Sequence, residues 1–312
     1  MRNRMLIAVL TALSLLTGSG PAGAEPIELL RDLSFKAPIS VGGAEASDGK
    51  PIARVGTPGA EGEPVWRIAQ WSTKRPDLGL PRNSGNETCW QNTMKVICVP
   101  SRASRGTGFS LVMNADREWG PLRRPPGGTK WPHLLLAQTI DPAATPPLSK
   151  ARSLVFETDF TIETKNETRG VGYNPRLHAM QLIATLIVQN RDKASPGFGQ
   201  YLWFVMPLYD SRYEWQKHGS KLDTGRSKFL WIVEQRKVMS VSSQKSPPGT
   251  PIRVRFDALE EIKSALSAAA ESGNLKDTDL AKYHVTSFSV GFESTGKGVL
   301  GARFGRVSLR QG

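Results

Sequence analysis

Three aromatic side chains on one short stretch are the strongest candidates for contact with a ligand. Residues 199–209 alternate with period two, and Tyr201, Trp203 and Tyr209 fall on the side opposite the aliphatic row. Aromatic side chains on an exposed strand face usually mark a contact surface. Sugar rings stack on Trp and Tyr, so the pattern predicts a glycan-binding face. Arg212 follows the strand, where it could meet an acidic substituent.

Polar residues on other strand-like stretches could complete such a face. Gln181 offers an amide to sugar hydroxyls, and Glu157, Glu234 and Glu293 lie on strands that could be its neighbours. Two carboxylates across one face can also hydrolyse a glycosidic bond, one as the acid and one as the nucleophile or base. A solvated strand edge is the alternative explanation for each carboxylate.

A long irregular segment, residues 117–148, holds two further candidates. Loops of this length are uncommon in compact domains and are usually functional. Trp131 and His133 bring an aromatic ring and an imidazole together directly before the apolar residues 134–136. The pattern is typical of a binding loop or of a plug at the end of a sandwich, and the sequence leaves both open.

No motif in the sequence predicts a metal or a cofactor, and we expect neither. The four histidines share no metal-ligand spacing. Residues 291–298 nearly match a phosphate-binding loop, but Gly298 stands where the magnesium-ligating hydroxyl belongs. Residues 242–245 match the S-x-x-K pattern but run into Ser-Pro-Pro-Gly instead of a helix.

The first 24 residues have the pattern of a secretory signal peptide. Arg2 and Arg4 precede an apolar stretch at residues 5–16, and small residues at 22–24 provide a cleavage site. That stretch is shorter than the roughly 20 apolar residues that span a bilayer, and no later stretch is apolar enough. We therefore expect a secreted or periplasmic protein, cleaved near Ala24, without stable membrane insertion.

The chain is basic and has two cysteines. Its formal net charge is +13 at pH 7, which favours an acidic partner such as an anionic polysaccharide, with ordinary solubility as the alternative. Nucleic acid is not expected, because the chain is exported and its basic residues are spread out. Cys89 and Cys98 form no C-x-x-C motif, so we expect a structural disulfide in an oxidising compartment.

The remaining pattern predicts a β-sandwich. Pro and Gly recur between short alternating stretches, of which residues 153–164 and 177–189 are the clearest. Residues 25–60 read as a lead-in arm that adds an edge strand and then forms a loop. Residues 61–312 read as a single sandwich domain.

One amphipathic helix is expected within the sandwich, at about residues 257–272. Asp257 is its candidate N-cap, Glu260 completes a capping box, and Gly273 ends it. The predicted fold class is therefore mainly β, a sandwich with one inserted amphipathic helix.

This order of strands, inserted helix and closing strand pair resembles secreted jelly-roll sandwiches of the concanavalin A-like lectin and glucanase type. Gly291-Phe292-Glu293 before a glycine-rich turn is also similar to the Gly-x-Glu strand that carries an acid in some small endoglucanases. The resemblance implies a jelly roll with a sugar-binding face. Those endoglucanases present their other carboxylate from a Glu-x-Met-x-Trp strand, and in Met180-Gln181-Leu182-Ile183 a glutamine stands in its place. The signatures of jelly-roll alginate lyases do not occur.

Three functions are therefore compatible with the sequence. The first is binding of a polysaccharide or cell-surface glycan, including one with acidic groups, which needs the aromatic residues but no paired acids. The second is a glycoside hydrolase or polysaccharide lyase on the same fold. The third is an extracellular structural or partner-binding domain, in which the aromatic face is covered by the inserted helix or by another chain.

Overall fold

The computed structural model describes residues 25–45, 50–102, 104, 106–223 and 227–312. The expected signal peptide therefore lies outside the described residues. Within them, the strands form an eight-stranded sheet and a nine-stranded sheet, which we call sheet A and sheet B. This confirms the mainly β fold class, a sandwich of two sheets. No helix in the described ranges has the length and apolar character needed to cross a membrane.

The elements are numbered in chain order. The strands are β1 Ile27–Glu28, β2 Ile39–Gly42, β3 Pro51–Val55, β4 Trp66–Ala69, β5 Arg82–Ser84, β6 Glu87–Gln91, β7 Lys95–Pro100, β8 Phe109–Asn114, β9 His133–Thr139, β10 Leu154–Glu167, β11 Met180–Asn190, β12 Tyr201–Asp210, β13 Gly219–Asp223, β14 Lys228–Ile232, β15 Pro251–Asp257, β16 Tyr283–Ser294 and β17 Gly298–Gln311. The helices are α1 Ala115–Trp119, α2 Gln235–Val238 and α3 Leu259–Glu271.

Neither sheet follows the order of the chain. Sheet A runs β15-β10-β17-β8-β7-β6-β5, with β1 beside β17, and sheet B runs β13-β14-β12-β11-β16-β9-β4-β2-β3. Neighbouring strands are antiparallel except for the parallel pairs β2–β4 and β12–β14. Strands far apart in the sequence therefore lie side by side in the centre of each sheet.

The lead-in arm, residues 25–60, has more regular structure than predicted. β1 adds to sheet A, while β2 and β3 form one edge of sheet B. The assignment of residues 61–312 to a single domain stays a prediction.

The core fills the space between the two sheets. Alternate residues of each strand point inwards, as the period-two pattern requires. Phe156 of sheet A and Phe288 of sheet B are both fully buried, and their ring centroids lie 5.9 Å apart. Contacts of this kind join sheets A and B into one apolar cluster.

Helix α3 crosses from sheet A to sheet B and seals the core at its side. Leu259, Ile262 and Leu266 are buried in the same apolar cluster as the inward residues of β12. Gly273 follows the helix in the left-handed region at φ 75°, as the sequence predicts. The predicted capping box does not form, because the Glu260 side chain pairs with Lys263. Asp257 instead accepts hydrogen bonds from the backbone of Leu259 and of β10.

The predicted disulfide is present. Cys89 on β6 and Cys98 on β7 are directly opposite each other and are bonded, with Cα atoms 4.0 Å apart. Glu87 lies beside the two sulfurs, and in the described residues these three form the one grouping with metal-ligand geometry. Because both sulfurs are held in the disulfide, they offer no thiolate to a metal.

Candidate functional site

The outer face of sheet B, which turns away from the core, is concave. Lys221 on β13 and Trp131 just before β9 are separated by four intervening strands. In a flat sheet these positions would be about 24 Å apart, since neighbouring strands lie about 4.8 Å apart. The Lys221 ammonium nevertheless lies 5.8 Å from the centre of the Trp131 ring. Sheet B therefore curls, and we call its outer side the concave face.

Four polar residues form a row across this face, which we call the polar row. Strand pairing places His133 opposite Glu293, Glu293 opposite Gln181, and Gln181 opposite Asp210. Directly paired residues on neighbouring strands point to the same side of a sheet. Three of the four, His133, Glu293 and Gln181, are candidates from the sequence.

Asp210 is the fourth member of the row, in place of Tyr209. Pairing between β11 and β12 shifts after Leu182, which faces Tyr209, so that Ile183 faces Pro207. A one-residue bulge moves the following side chains to the opposite face. Tyr209 is therefore buried in the core at 3% exposure, and the expectation that it contacts a ligand is wrong. The shift instead turns Asp210 outwards.

Asp210 is held in a closed ion pair. Its carboxylate has no exposed surface and accepts hydrogen bonds from Gln181 at 2.8 Å and from two nitrogens of Arg212 at 2.8 and 2.6 Å. Arg212, the candidate to meet an acidic substituent, is therefore paired with Asp210, and its side chain is 17% exposed. Bidentate pairing of this kind fixes both partners and neutralises their charges.

Glu293 and His133 form the open pair of the row. His133 Nε2 lies 3.1 Å from Glu293 Oε1, and the side chains are 14% and 22% exposed. His133 Nδ1 contacts the carbonyl oxygen of Trp131, which can only accept, so Nδ1 carries a proton. An imidazole nitrogen and a carboxyl oxygen at this distance can exchange a proton, so the pair has the residue types of a general acid or base.

Two aromatic side chains lie beside His133 of this pair. The rings of Trp71 and Trp131 lie 5.1 and 6.5 Å from the His133 ring, centroid to centroid. Trp71 directly follows β4 and extends the polar row by one strand, because its carbonyl accepts the backbone hydrogen bond of His133. The Trp131 ring is itself in contact with cations, since Arg124 and Lys221 lie 5.0 and 5.8 Å from its centre.

Trp203 and Tyr201 lie further along the same concave face. Their rings meet edge to face at 6.0 Å, and the Lys228 ammonium lies 5.0 Å above the Tyr201 ring. Both aromatic residues are partly exposed. Between them and the polar row, the face is lined by apolar residues outside the core cluster, including Ile183 and Val205.

Helix α3 does not cover the aromatic face. Its buried side chains belong to the core cluster, which excludes Ile183 and Val205 of the concave face. The part of the third hypothesis in which the helix covers the aromatic residues is therefore wrong.

The other two carboxylate candidates have different positions. Glu157 is on sheet A, where it pairs with Arg255 at 2.9 Å and with Arg310, so it cannot act on the concave face. Glu234 follows β14, whose Leu230 and Ile232 pair with Trp203 and Val205. The same alternation places Glu234 on the concave face. Among the described residues its side chain has no hydrogen-bond or ion-pair partner.

Sequence reasoning missed Asp210 and Trp71. Tyr209 was assigned to the outer face in place of Asp210 because strict alternation gives no bulge, although Pro207 is a signal for one, since proline cannot donate to a sheet ladder. Trp71 ends its strand with no second aromatic nearby in the sequence. Neither the pairing of His133 with Glu293 nor that of Glu293 with Gln181 could be read without the strand order.

No protein-family model and no curated protein sequence matches the chain. Several solved structures resemble it, all at low identity. A family 12 xyloglucanase from Bacillus licheniformis has 11% identity and a TM-score of 0.41, covering 76% of this chain and 99% of its own. An endoglucanase from Rhodothermus marinus has 12% identity and a TM-score of 0.37, covering 75% and 98%. A family 11 xylanase from Neocallimastix patriciarum has 8% identity and a TM-score of 0.36, covering 75% and 95%. No residue role is carried over from them at this level of likeness.

Proposed function

We propose that the concave face of sheet B binds a polysaccharide chain and cleaves a glycosidic bond at Glu293. The observation that carries this proposal is the Glu293–His133 pair, in which His133 Nε2 lies 3.1 Å from Glu293 Oε1 and both side chains are partly open to solvent. Trp71 and Trp131 lie beside His133 of this pair, and Trp203 and Tyr201 extend the surface along which a chain of sugars can stack.

Glu293 acts as the general acid in this proposal. In its protonated form it donates to the oxygen of the leaving sugar, and His133 holds the carboxyl group in position through Nε2. Hydrolysis also needs a base or nucleophile on the other side of the sugar. Asp210 is unsuited to that role, because Arg212 and Gln181 occupy its oxygens. Glu234 is the proposed base: it takes a proton from the water that attacks the sugar carbon as the glycosidic bond breaks.

Binding without cleavage is the second candidate function. Gln181 lies beside Glu293 on the neighbouring strand, where an amide can hydrogen-bond a sugar but cannot act as a nucleophile. The neutralised Asp210–Arg212 pair on the next strand adds no free carboxylate. These two observations favour a face that recognises glycans, and the experiment below separates the two functions.

The proposal places the protein outside the cytoplasm. The Cys89–Cys98 disulfide is typical of an oxidising compartment. The proposed signal peptide at residues 1–24 agrees with that location.

The test measures binding and release of reducing ends on a panel of a neutral β-glucan, a xylan and a polyuronate. Glu293→Gln should reduce cleavage by about 10²–10⁴-fold, the usual contribution of a general acid, while binding persists. Trp203→Ala should weaken binding by at least about fivefold while unfolding stays cooperative. Glu163→Gln is the matched control, because Glu163 lies on sheet A and pairs with Arg303.

The outcomes separate the candidates. Wild-type binding without any release of reducing ends would reject cleavage and leave the binding function. Failure of the wild type to bind any glycan of the panel would reject both. If Trp203→Ala mainly destabilises the fold, by about the 3–5 kcal/mol typical of a buried tryptophan, the aromatic surface is a second core layer and the proposal loses its support.

A further inference from the structure

A basic cavity lies at the end of the sandwich, beside helix α1. Its volume is about 800 Å³. The residues that line it are Lys74, Thr93, Met94, Asn114, Asp116, Arg117, Gly120, Thr168 and Lys297. Asp116 is the one acid among these described lining residues, and it faces three cationic side chains.

The ammonium groups around this cavity converge on the end of α1. Lys297 Nζ donates a 2.5 Å hydrogen bond to the carbonyl oxygen of Gly120. Lys130 Nζ donates a 3.0 Å bond to the carbonyl oxygen of Glu118. Lys74 Nζ lies 3.2 Å from the position that a Cβ on Gly120 would occupy. We call Lys74, Lys130, Lys297 and Arg117 the cation cluster.

The cation cluster has more cations than nearby acids, which are Asp116 in the cavity lining and Glu118 beneath it. The partners of Lys130 and Lys297 are backbone carbonyls, which satisfy hydrogen bonds but carry no formal charge. The Glu118 carboxylate is buried and bonded to Thr73 and to the backbone of Lys74, with Lys95 at 4.0 Å. Burial, followed by the charge of Lys74, lowers the pKa of Lys130.

Stabilisation of the helix end explains only part of this arrangement. Lysines near a helix C-terminus favour its exposed carbonyls, which accounts for Lys130 and Lys297. Lys74 and Arg117 are exposed and make no ion pair among the described residues. A surplus of cations over acids at a concave surface attracts and retains an anion.

The cation cluster is continuous with the concave face. Lys130 directly precedes Trp131, which contacts His133 of the polar row. Lys74 follows Trp71, on the other side of the same histidine, by three positions. A sugar chain bound over the polar row therefore leads past these two tryptophans to the cation cluster.

We propose that the cation cluster binds the carboxylate or sulfate group of an acidic polysaccharide whose neighbouring sugars occupy the concave face. This inference rests on the proposed function and names its substrate class, an anionic glycan. Lys74 and Arg117 are the groups that contact the anion, and Lys297 and Lys130 add their charge from fixed positions.

The test compares an oligogalacturonate with its methyl-esterified form, which has the same sugars without the charges. The wild type should bind the charged form more tightly. Lys74→Gln and Arg117→Gln should each reduce that preference by about two- to fivefold, the range for one partly exposed charge. Lys193→Gln is the control, because it removes one exposed charge from the turn after β11, at the opposite end of the sheet. Inorganic phosphate is titrated in parallel as a free anion.

Each result distinguishes this inference from the proposed function. The inference would be overturned if the preference for the charged over the esterified glycan were the same in the wild type and in Lys74→Gln, Arg117→Gln and Lys193→Gln. Binding of the esterified form by Trp203→Ala would still test the concave face. Binding of phosphate that depends on Lys74, without preference for the charged glycan, would reassign the cluster to a free anion and overturn the glycan assignment. Weak binding of both glycans by Trp203→Ala, with the preference retained, is the result expected if both proposals hold.

Discussion

At the scale of single residues, the two carboxylates of the polar row show how environment separates chemical roles. Asp210 has no exposed side-chain surface and accepts four hydrogen bonds, one from Gln181 and three from the side chain and backbone of Arg212. Glu293 is 22% exposed, and its Oε1 lies 3.1 Å from His133 Nε2. A carboxylate whose oxygens are all occupied stabilises the sheet, whereas one with an open oxygen can act on a ligand.

The buried side chain of Lys95 should make the stability of the protein depend on pH. Lys95 is 3% exposed and donates hydrogen bonds to Gln70, Thr73 and the carbonyl oxygen of Arg75. Burial, partly offset by the charge of Glu118, lowers its pKa from 10.5 to about 8. Between these values the unfolded chain binds more protons than the folded protein, so stability should rise as pH increases from about 8 to 10.5. Urea denaturation across this window measures the effect.

Comparison with Lys95→Met isolates the contribution of this lysine to stability, because the tyrosines that titrate in the same pH range are present in both proteins. The free energy of unfolding of the wild type should gain on the order of 3 kcal/mol relative to the variant across the window. A difference that is flat or falls with rising pH would show that Lys95 keeps an ordinary proton affinity when folded.

Residue types predicted much of the candidate site, but not its arrangement. His133, Gln181 and Glu293 were each indicated by their chemistry and by a strand pattern. Their contact depends on β9, β11 and β16 being neighbours, which follows from the order of the whole sheet. Local periodicity carries no information about which distant strand lies alongside.

At the scale of elements, helix α3 gives the clearest test of packing. Leu266 is 1% exposed within the core cluster, so Leu266→Ala should cost about 2–5 kcal/mol of stability. Ser267 is the next residue and is exposed, so Ser267→Ala should change stability by less than about 0.5 kcal/mol. Chemical denaturation of both variants measures the contrast. Similar midpoints for the two would mean that the helix is an exposed arm.

Sequence periodicity predicted the regular helices and strands, but not the points at which they are interrupted. The apolar stripe of α3 gave its extent to within two residues, Leu259–Glu271 against 257–272. The apolar stretch 227–239 has the pattern typical of one central strand, yet β14 ends at Ile232 and α2 begins at Gln235. The backbone of Gln235 bonds to that of Gln216, a contact that turns the chain away from the sheet. Such long-range contacts are not encoded in a local pattern.

At the scale of the whole molecule, the curvature of sheet B turns separate residues into one surface. Lys221 and Trp131 come from parts of sheet B that are separated by four strands, and both lie on the concave face. Their contact brings the two walls of that face together. A chain held between these walls would meet Trp203, the polar row and the cation cluster in succession. The surplus of positive charge then acts on any acidic substituent along that path.

The salt dependence of binding follows from that surplus. The chain carries a formal net charge of +13, and exposed charges are screened beyond a Debye length of about 10 Å at 0.1 M salt and about 3 Å at 1 M. Affinity for a polyuronate should therefore fall steadily as salt is raised across this range. Affinity for a neutral glycan should stay nearly constant, because stacking on Trp203 and Tyr201 involves no net charge of the sugar. Titrations of both ligands by calorimetry at several salt concentrations measure the two slopes, and Lys74→Gln should lessen the first without affecting the second. A neutral glycan that is lost as readily as the polyuronate would show that charge does not direct recognition.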